Sequence, residues 1–145
     1  MKLHTIIPGK LYQRGRTNHL SMADKRATLR AARICLTINV APRTDEDLAH
    51  LLGNRYIHWP FADNHVPAVD ALALYTTRIV TQLRREGAAL VTCNAGRNRS
   101  SLLTALVVME MWGLSGTEAV AHVRRCRPNA LANEQFVRFL EERFR

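Results

Sequence analysis

A chain of 145 residues, 47% of them apolar, is long enough to bury one core and short for two, so a single domain over 1–145 is expected. Its formal charge of +9 rests almost wholly on arginine, since only Lys2, Lys10 and Lys25 are lysines, and guanidinium forks favour phosphate or carboxylate partners. Three widely spaced cysteines (Cys35, Cys93, Cys126) exclude a disulfide framework, and no apolar run reaches the roughly 18 residues of a membrane span.

Pro8-Gly9 signals a turn before a short strand at Leu11 to Gln13. Ser21 and Asp24 form a capping-box pattern that opens a helix to about Ala32. Ile34 to Val40 is β-branched and apolar, which predicts a buried strand ended by Pro42. Thr44 is expected to cap a short helix stopping at Gly53, and Tyr56 to Trp59 reads as a strand broken by Pro60. After a loop at 61–67, a long helix is predicted from Ala68 to about Glu86, then a strand at Ala88 to Thr92. Helices follow from Ser100 to Trp112, from a capping box at Ser115 and Glu118 to about Arg125, and from Asn133 to about Phe144. Strands alternating with helices predict an α/β fold: a central, mostly parallel sheet of four to five strands with helices on both faces. Ligands bind such sheets at the carboxyl ends of the strands, where the segment from Cys93 to Arg99 falls.

That segment, Cys93-Asn94-Ala95-Gly96-Arg97-Asn98-Arg99-Ser100, places a Cys, five residues and an Arg between a strand and a helix. A tight loop entering a helix aims successive backbone N–H groups at one point, and the helix dipole adds positive potential there. Gly96 permits the turn, the Arg99 fork can clamp two phosphate oxygens, and Cys93 lies beneath the phosphorus. The donors that bind phosphate also favour a thiolate nucleophile. The phosphate-binding set is therefore Asn94, Ala95, Gly96, Arg97, Asn98 and Arg99.

With its Cys-x5-Arg-Ser motif after a strand, Ala95-Gly96 within it, and Leu11-Tyr12-Gln13-Arg14-Gly15-Arg16, Ile38-Asn39-Val40 and Arg127-Pro128 elsewhere, the chain resembles the cysteine-based phosphatases, dual-specificity group. The run Gly96 to Ser100 with Asn129-Ala130-Leu131 is similar to small bacterial and phage members. The resemblance covers about residues 5 to 143. It implies hydrolysis of phosphotyrosine and phosphoserine or phosphothreonine through a thiophosphoryl-cysteine, with no cofactor or metal. It also implies a general acid Asp about 30 residues before the Cys; Asp63 stands there, after Trp59-Pro60. Asp70 is the runner-up, placed in a first helical turn where it serves the dipole. Ser100 is assigned to assist the sulfur as it leaves.

One departure is Thr92, where the family has a His that orders the loop; weaker activity at acidic pH is the expected consequence. Arg97 adds charge at the loop rim, and Asn98 is shared with the RNA 5′-triphosphatase branch. Two alternatives follow: an RNA 5′-triphosphatase or phosphoinositide phosphatase, and a phosphate-binding module without turnover. The expected protein is a cytoplasmic monomer without a membrane span, acting on a phosphorylated protein or other anionic phosphate; nucleic acid is not favoured as a partner. Cys35 starts a strand, about 16 Å from the end that carries Cys93, which argues against a disulfide between them.

Overall fold

The computed structural model describes residues 1–143; the predicted end of the last helix at Phe144 lies outside them. Five strands, β1 (His4–Ile7), β2 (Leu11–Arg14), β3 (Ile34–Asn39), β4 (Tyr56–His58) and β5 (Ala88–Thr92), form one sheet in the order β1-β2-β5-β3-β4. Only β1 and β2 run antiparallel; the other pairings are parallel, as the strand–helix alternation requires. Six helices flank the sheet: α1 (Met22–Ala31), α2 (Glu46–Leu52), α3 (Val69–Leu83), α4 (Arg99–Trp112), α5 (Gly116–Cys126) and α6 (Glu134–Arg143).

The central strand β5 is buried along its length, and its alternate residues feed two cores. Ala89 and Val91 join the larger cluster with Leu36, Ile38, Leu72, Leu103, Val120 and Phe136, beneath α3 to α6. Ala88 and Leu90 join a smaller cluster with Leu29 and Leu48, beneath α1 and α2. Alternation in a strand covered on both faces produces this division.

Several details differ from expectation, three of them for clear local reasons. β1 is an additional strand: Pro8-Gly9 turns the chain back so that Thr5 faces Tyr12, with Gly9 at φ 72°. Asp45, not Thr44, caps α2, accepting from Leu48 N–H at 3.0 Å, while the Thr44 hydroxyl pairs with the Tyr56 hydroxyl at 3.1 Å. Helix α3 stops at Leu83 rather than Glu86; Arg84 ends it, and the chain turns through Gly87 at φ 92°.

Candidate active site

Strand β5 delivers Cys93 at its carboxyl end, and α4 begins at Arg99, one residue earlier than expected. The loop between them is held from outside by its carbonyls. Asn94 O accepts from Arg16 N–H at 2.9 Å, and Ala95 O accepts from Arg127 Nη2 at 3.3 Å. Gly96 O accepts from Gln13 Nε2 at 3.1 Å and Arg127 Nε at 3.2 Å. Arg97 O accepts from Leu131 N–H at 2.9 Å, and Asn98 O accepts from Leu102 N–H at 2.8 Å within the helix start. In a planar trans peptide the N–H points opposite to the C=O. Four successive carbonyls drawn outward, and a fifth aligned in the first turn of α4, therefore turn the amides of residues 95–99 toward the loop's interior.

The loop can be this tight because two glycines meet face to face. Gly96 has φ 69°, and a Cβ there would stand 2.6 Å from Gly15 N; a Cβ on Gly15 would stand 2.9 Å from Asn94 O. Cys93 is buried beneath the loop, where its Sγ accepts from Gly96 N–H at 3.1 Å. The thiol in turn donates to Ser100 Oγ at 3.2 Å, and Ser100 is fully buried. Asn98 precedes α4 without capping it by its side chain. The helix's first amides are thus left for a ligand at the positive end of its dipole.

Arg99 is 9% exposed and reaches the loop that carries Asp63. Its Nη1 donates to Phe61 O at 3.4 Å, and its Nε lies 3.8 Å from Asp63 Oδ1. Asp63 is half exposed, so its carboxylate stands at the mouth of the site rather than within the core. Asn133 joins the two loops. Its N–H donates to Asn98 Oδ1 at 3.1 Å, its Nδ2 donates to Asp63 O, and its Oδ1 caps α6 through Gln135 N–H at 2.8 Å.

Of the sequence-predicted residues, Cys93 contacts Gly96 and Ser100, and Arg99 pairs with Asp63. Arg97 points away: its Nε donates to Asn129 O at 3.2 Å. Asp70 lies in the first turn of α3, as expected. Cys35 packs against Gly87 at the amino end of β5, with the whole strand between it and Cys93, and all three cysteines are free.

Sequence reasoning missed the supports. Gln13 is fully buried; besides Gly96 O it donates to Ser101 Oγ at 2.8 Å and accepts from Thr104 Oγ1 at 2.7 Å. A signal existed, since Gln13 shares the buried face of its strand with Leu11, and a polar residue there needs a partner. Arg127 and Leu131 gave no such local sign.

A family model described as dual specificity phosphatase, catalytic domain, matches residues 17–145. The chain belongs to this phosphatase family. A probable dual specificity protein phosphatase of Dictyostelium discoideum is 29% identical over 90 residues, 61% of this chain. The match spans about a fifth of that relative's length, 22%. Among solved structures, Tk-PTP in its active form shares the fold at TM-score 0.79 and 23% identity, covering 98% of this chain and 97% of that one. Cydia pomonella PTP-2 phosphatase gives 0.81 at 18% identity, covering 97% and 88%. The human tyrosine phosphatase-like serine/threonine/tyrosine-interacting protein gives 0.75 at 24%, covering 97% and 94%. Among its described residues the chain has no helix long and apolar enough to cross a membrane.

Proposed function

We propose that residues 1–145 act as one catalytic domain hydrolysing phosphotyrosine and phosphoserine or phosphothreonine in proteins, through a thiophosphoryl intermediate on Cys93. The observation that carries this reading is the run of engaged carbonyls from Asn94 to Asn98, four held from outside the loop and the last in the first turn of α4, which turns the amides of residues 95–99 toward the loop's interior.

The Cys93 thiol first releases its proton to solvent; in the first step the thiolate attacks phosphorus, the S–P bond forms and the ester P–O bond breaks. The electron pair leaves on the substrate oxygen, which takes the proton of Asp63. Charge on the transferring group is met by the loop amides and the Arg99 fork, fixed in place before reaction. In the second step Asp63, now ionised, takes a proton from water. The water oxygen bonds phosphorus, the S–P bond breaks, and Ser100 Oγ–H donates to the departing thiolate.

Asp63→Asn tests the acid. Turnover of a phosphoserine peptide falls about 10²-fold, because an alkoxide cannot leave without its proton. Release of p-nitrophenolate, a better leaving group, falls less. Equal losses on both substrates across pH 5 to 8 would remove Asp63 from this role. Asn133→Ala tests the tether on the Asp63 loop. It lowers kcat about tenfold on the phosphoserine peptide with KM little changed, and the lost α6 cap lowers unfolding stability by about 1 kcal/mol. A stability loss without the kcat loss would reduce Asn133 to a helix cap.

A further inference from the structure

Three polar side chains lie fully buried together behind the phosphate loop and take no part in the chemistry proposed above: Gln13 of β2, and Ser101 and Thr104 of α4. The two hydroxyls stand three residues apart on α4, hence on one face of it. That face meets β2 where Gln13 pairs with Val91 of β5, two residues before Cys93. Apolar side chains of the same shape would fill this space without the cost of burying an amide and two hydroxyls. What the amide supplies is a partner for a carbonyl that points from the loop into the protein: Gln13 Nε2 donates to Gly96 O at 3.1 Å, a buried contact.

The chemistry of the groups allows the amide one direction only. Gly96 O can only accept, so the nitrogen of Gln13 must face it. The second hydrogen on that nitrogen goes to Ser101 Oγ at 2.8 Å, and Oε1 is left to accept from Thr104 Oγ1 at 2.7 Å. The peptide joining Gly96 to Arg97 is planar, so fixing its carbonyl fixes the Arg97 N–H on the opposite side, toward the loop's interior. Arg127 Nε reaches the same oxygen at 3.2 Å, but from a half-buried side chain, whereas Gln13 acts from the core. We propose that Gln13 is a positioning residue of this active site: through the Gly96 carbonyl it aims the Arg97 N–H at the transferring phosphoryl group, and Ser101 and Thr104 fix the direction of its amide. The inference rests on the phosphatase reading above and adds to it a donor whose aim is set from the core.

Gln13→Glu, nearly the same in shape, tests the donor by pH. Burial raises the pKa of the new carboxyl. Below that pKa its proton is given to Gly96 O while the other oxygen accepts from Thr104; above it, only acceptors meet the carbonyl. Its kcat/KM on p-nitrophenyl phosphate, divided by that of the unaltered protein, is within about threefold of one at pH 5 and falls about tenfold by pH 8. Gln13→Met fills the space without a donor and loses about tenfold at every pH, less than the roughly 10²- to 10³-fold cost of removing an oxyanion donor outright. Vanadate, which mimics the transferring group, binds this variant about tenfold more weakly by calorimetry. Leu48→Ala is the stability control: it opens the smaller core, lowers the unfolding midpoint, and leaves vanadate affinity and the kcat/KM of the folded protein unchanged. Unaltered turnover and vanadate affinity in folded Gln13→Met overturn the proposal and reduce Gln13 to packing, as does a Gln13→Glu protein no more active at pH 5 than Gln13→Met. If Gln13→Met does not fold, Thr104→Val decides: it removes only the hydroxyl that orients Oε1, so vanadate binding about threefold weaker supports the proposal and unchanged binding overturns it. Should the unaltered protein leave p-nitrophenyl phosphate intact while Gln13→Met still loses vanadate affinity, the phosphatase chemistry falls and the positioning role stands.

Discussion

Cys93→Ser abolishes phosphate release, by about four orders of magnitude or more, while the protein still folds and binds phosphate. The hydroxyl fits where the thiol fits, because the site is packed around a buried side chain that contacts Gly96 N–H and Ser100 Oγ. It cannot attack, because a serine hydroxyl offers far less anion at neutral pH than a thiol does. Arg99→Lys separates clamp from nucleophile. It keeps the charge and loses the planar fork, so kcat/KM falls about 10²- to 10³-fold. Phosphate binding by the Cys93→Ser protein, beside its release assay, is the check. Turnover surviving in Cys93→Ser would rule out the thiophosphoryl route.

Lys25→Ala destabilises the fold by about 3–5 kcal/mol, since it leaves a buried carboxylate without its partner. Lys25 is 1% exposed on the inner face of α1, with its Nζ 2.9 Å from Asp45 Oδ2 and 3.0 Å from Asp47 Oδ2. Asp45 also accepts from Thr17 Oγ1 at 2.5 Å and caps α2 through Leu48 N–H. This cluster ties the segments that follow β2 and β3 at their carboxyl ends, the same end of the sheet that carries the phosphate loop. The double variant Lys25→Met with Asp45→Asn keeps the cap and removes both charges. It therefore costs less than Lys25→Ala alone, which denaturant unfolding of the variants measures.

The pH dependence of stability follows from the same cluster. Burial works against the Asp45 charge, but the Thr17 hydroxyl, Leu48 N–H and Lys25 outweigh it and hold the carboxyl below its ordinary 3.8. A depressed folded pKa stabilises above that ordinary value, and the contribution fades as pH falls through the folded one. Lys25 is likewise desolvated, yet its carboxylate partners hold it above its ordinary 10.5. Its contribution is complete below 10.5 and fades as pH rises through the folded value. The cluster thus holds its full stabilisation between the two ranges. Unfolding titrations of the native chain and the double variant converge below about pH 4, where the pair's contribution fades.

From β2 onward the order of strands and helices, the strand at Ala88 to Thr92 and the tight Cys-to-Arg loop were legible from the sequence alone, whereas β1 was not. Each depends on neighbours a few residues apart: β-branched runs, capping boxes at Ser21 and Ser115, and a glycine where φ must be positive. Asp63 was legible by its spacing from Cys93, but its 3.8 Å approach to Arg99 was not. What only the tertiary structure decided are the partners brought from afar. Gln13 and Arg127 hold the carbonyl of Gly96 across 83 and 31 residues, and Asn133 reaches Asp63 across 70. Lys25, which a helical pattern assigns to solvent as readily as to the core, is buried because two aspartates arrive from the segment after β3. Lys2 and His4 likewise come to lie beside Arg14 and Asn94 only because β1 folds back on β2. A local pattern specifies which backbone states are cheap; which polar groups meet is set by the sheet order, which no short window of the chain contains.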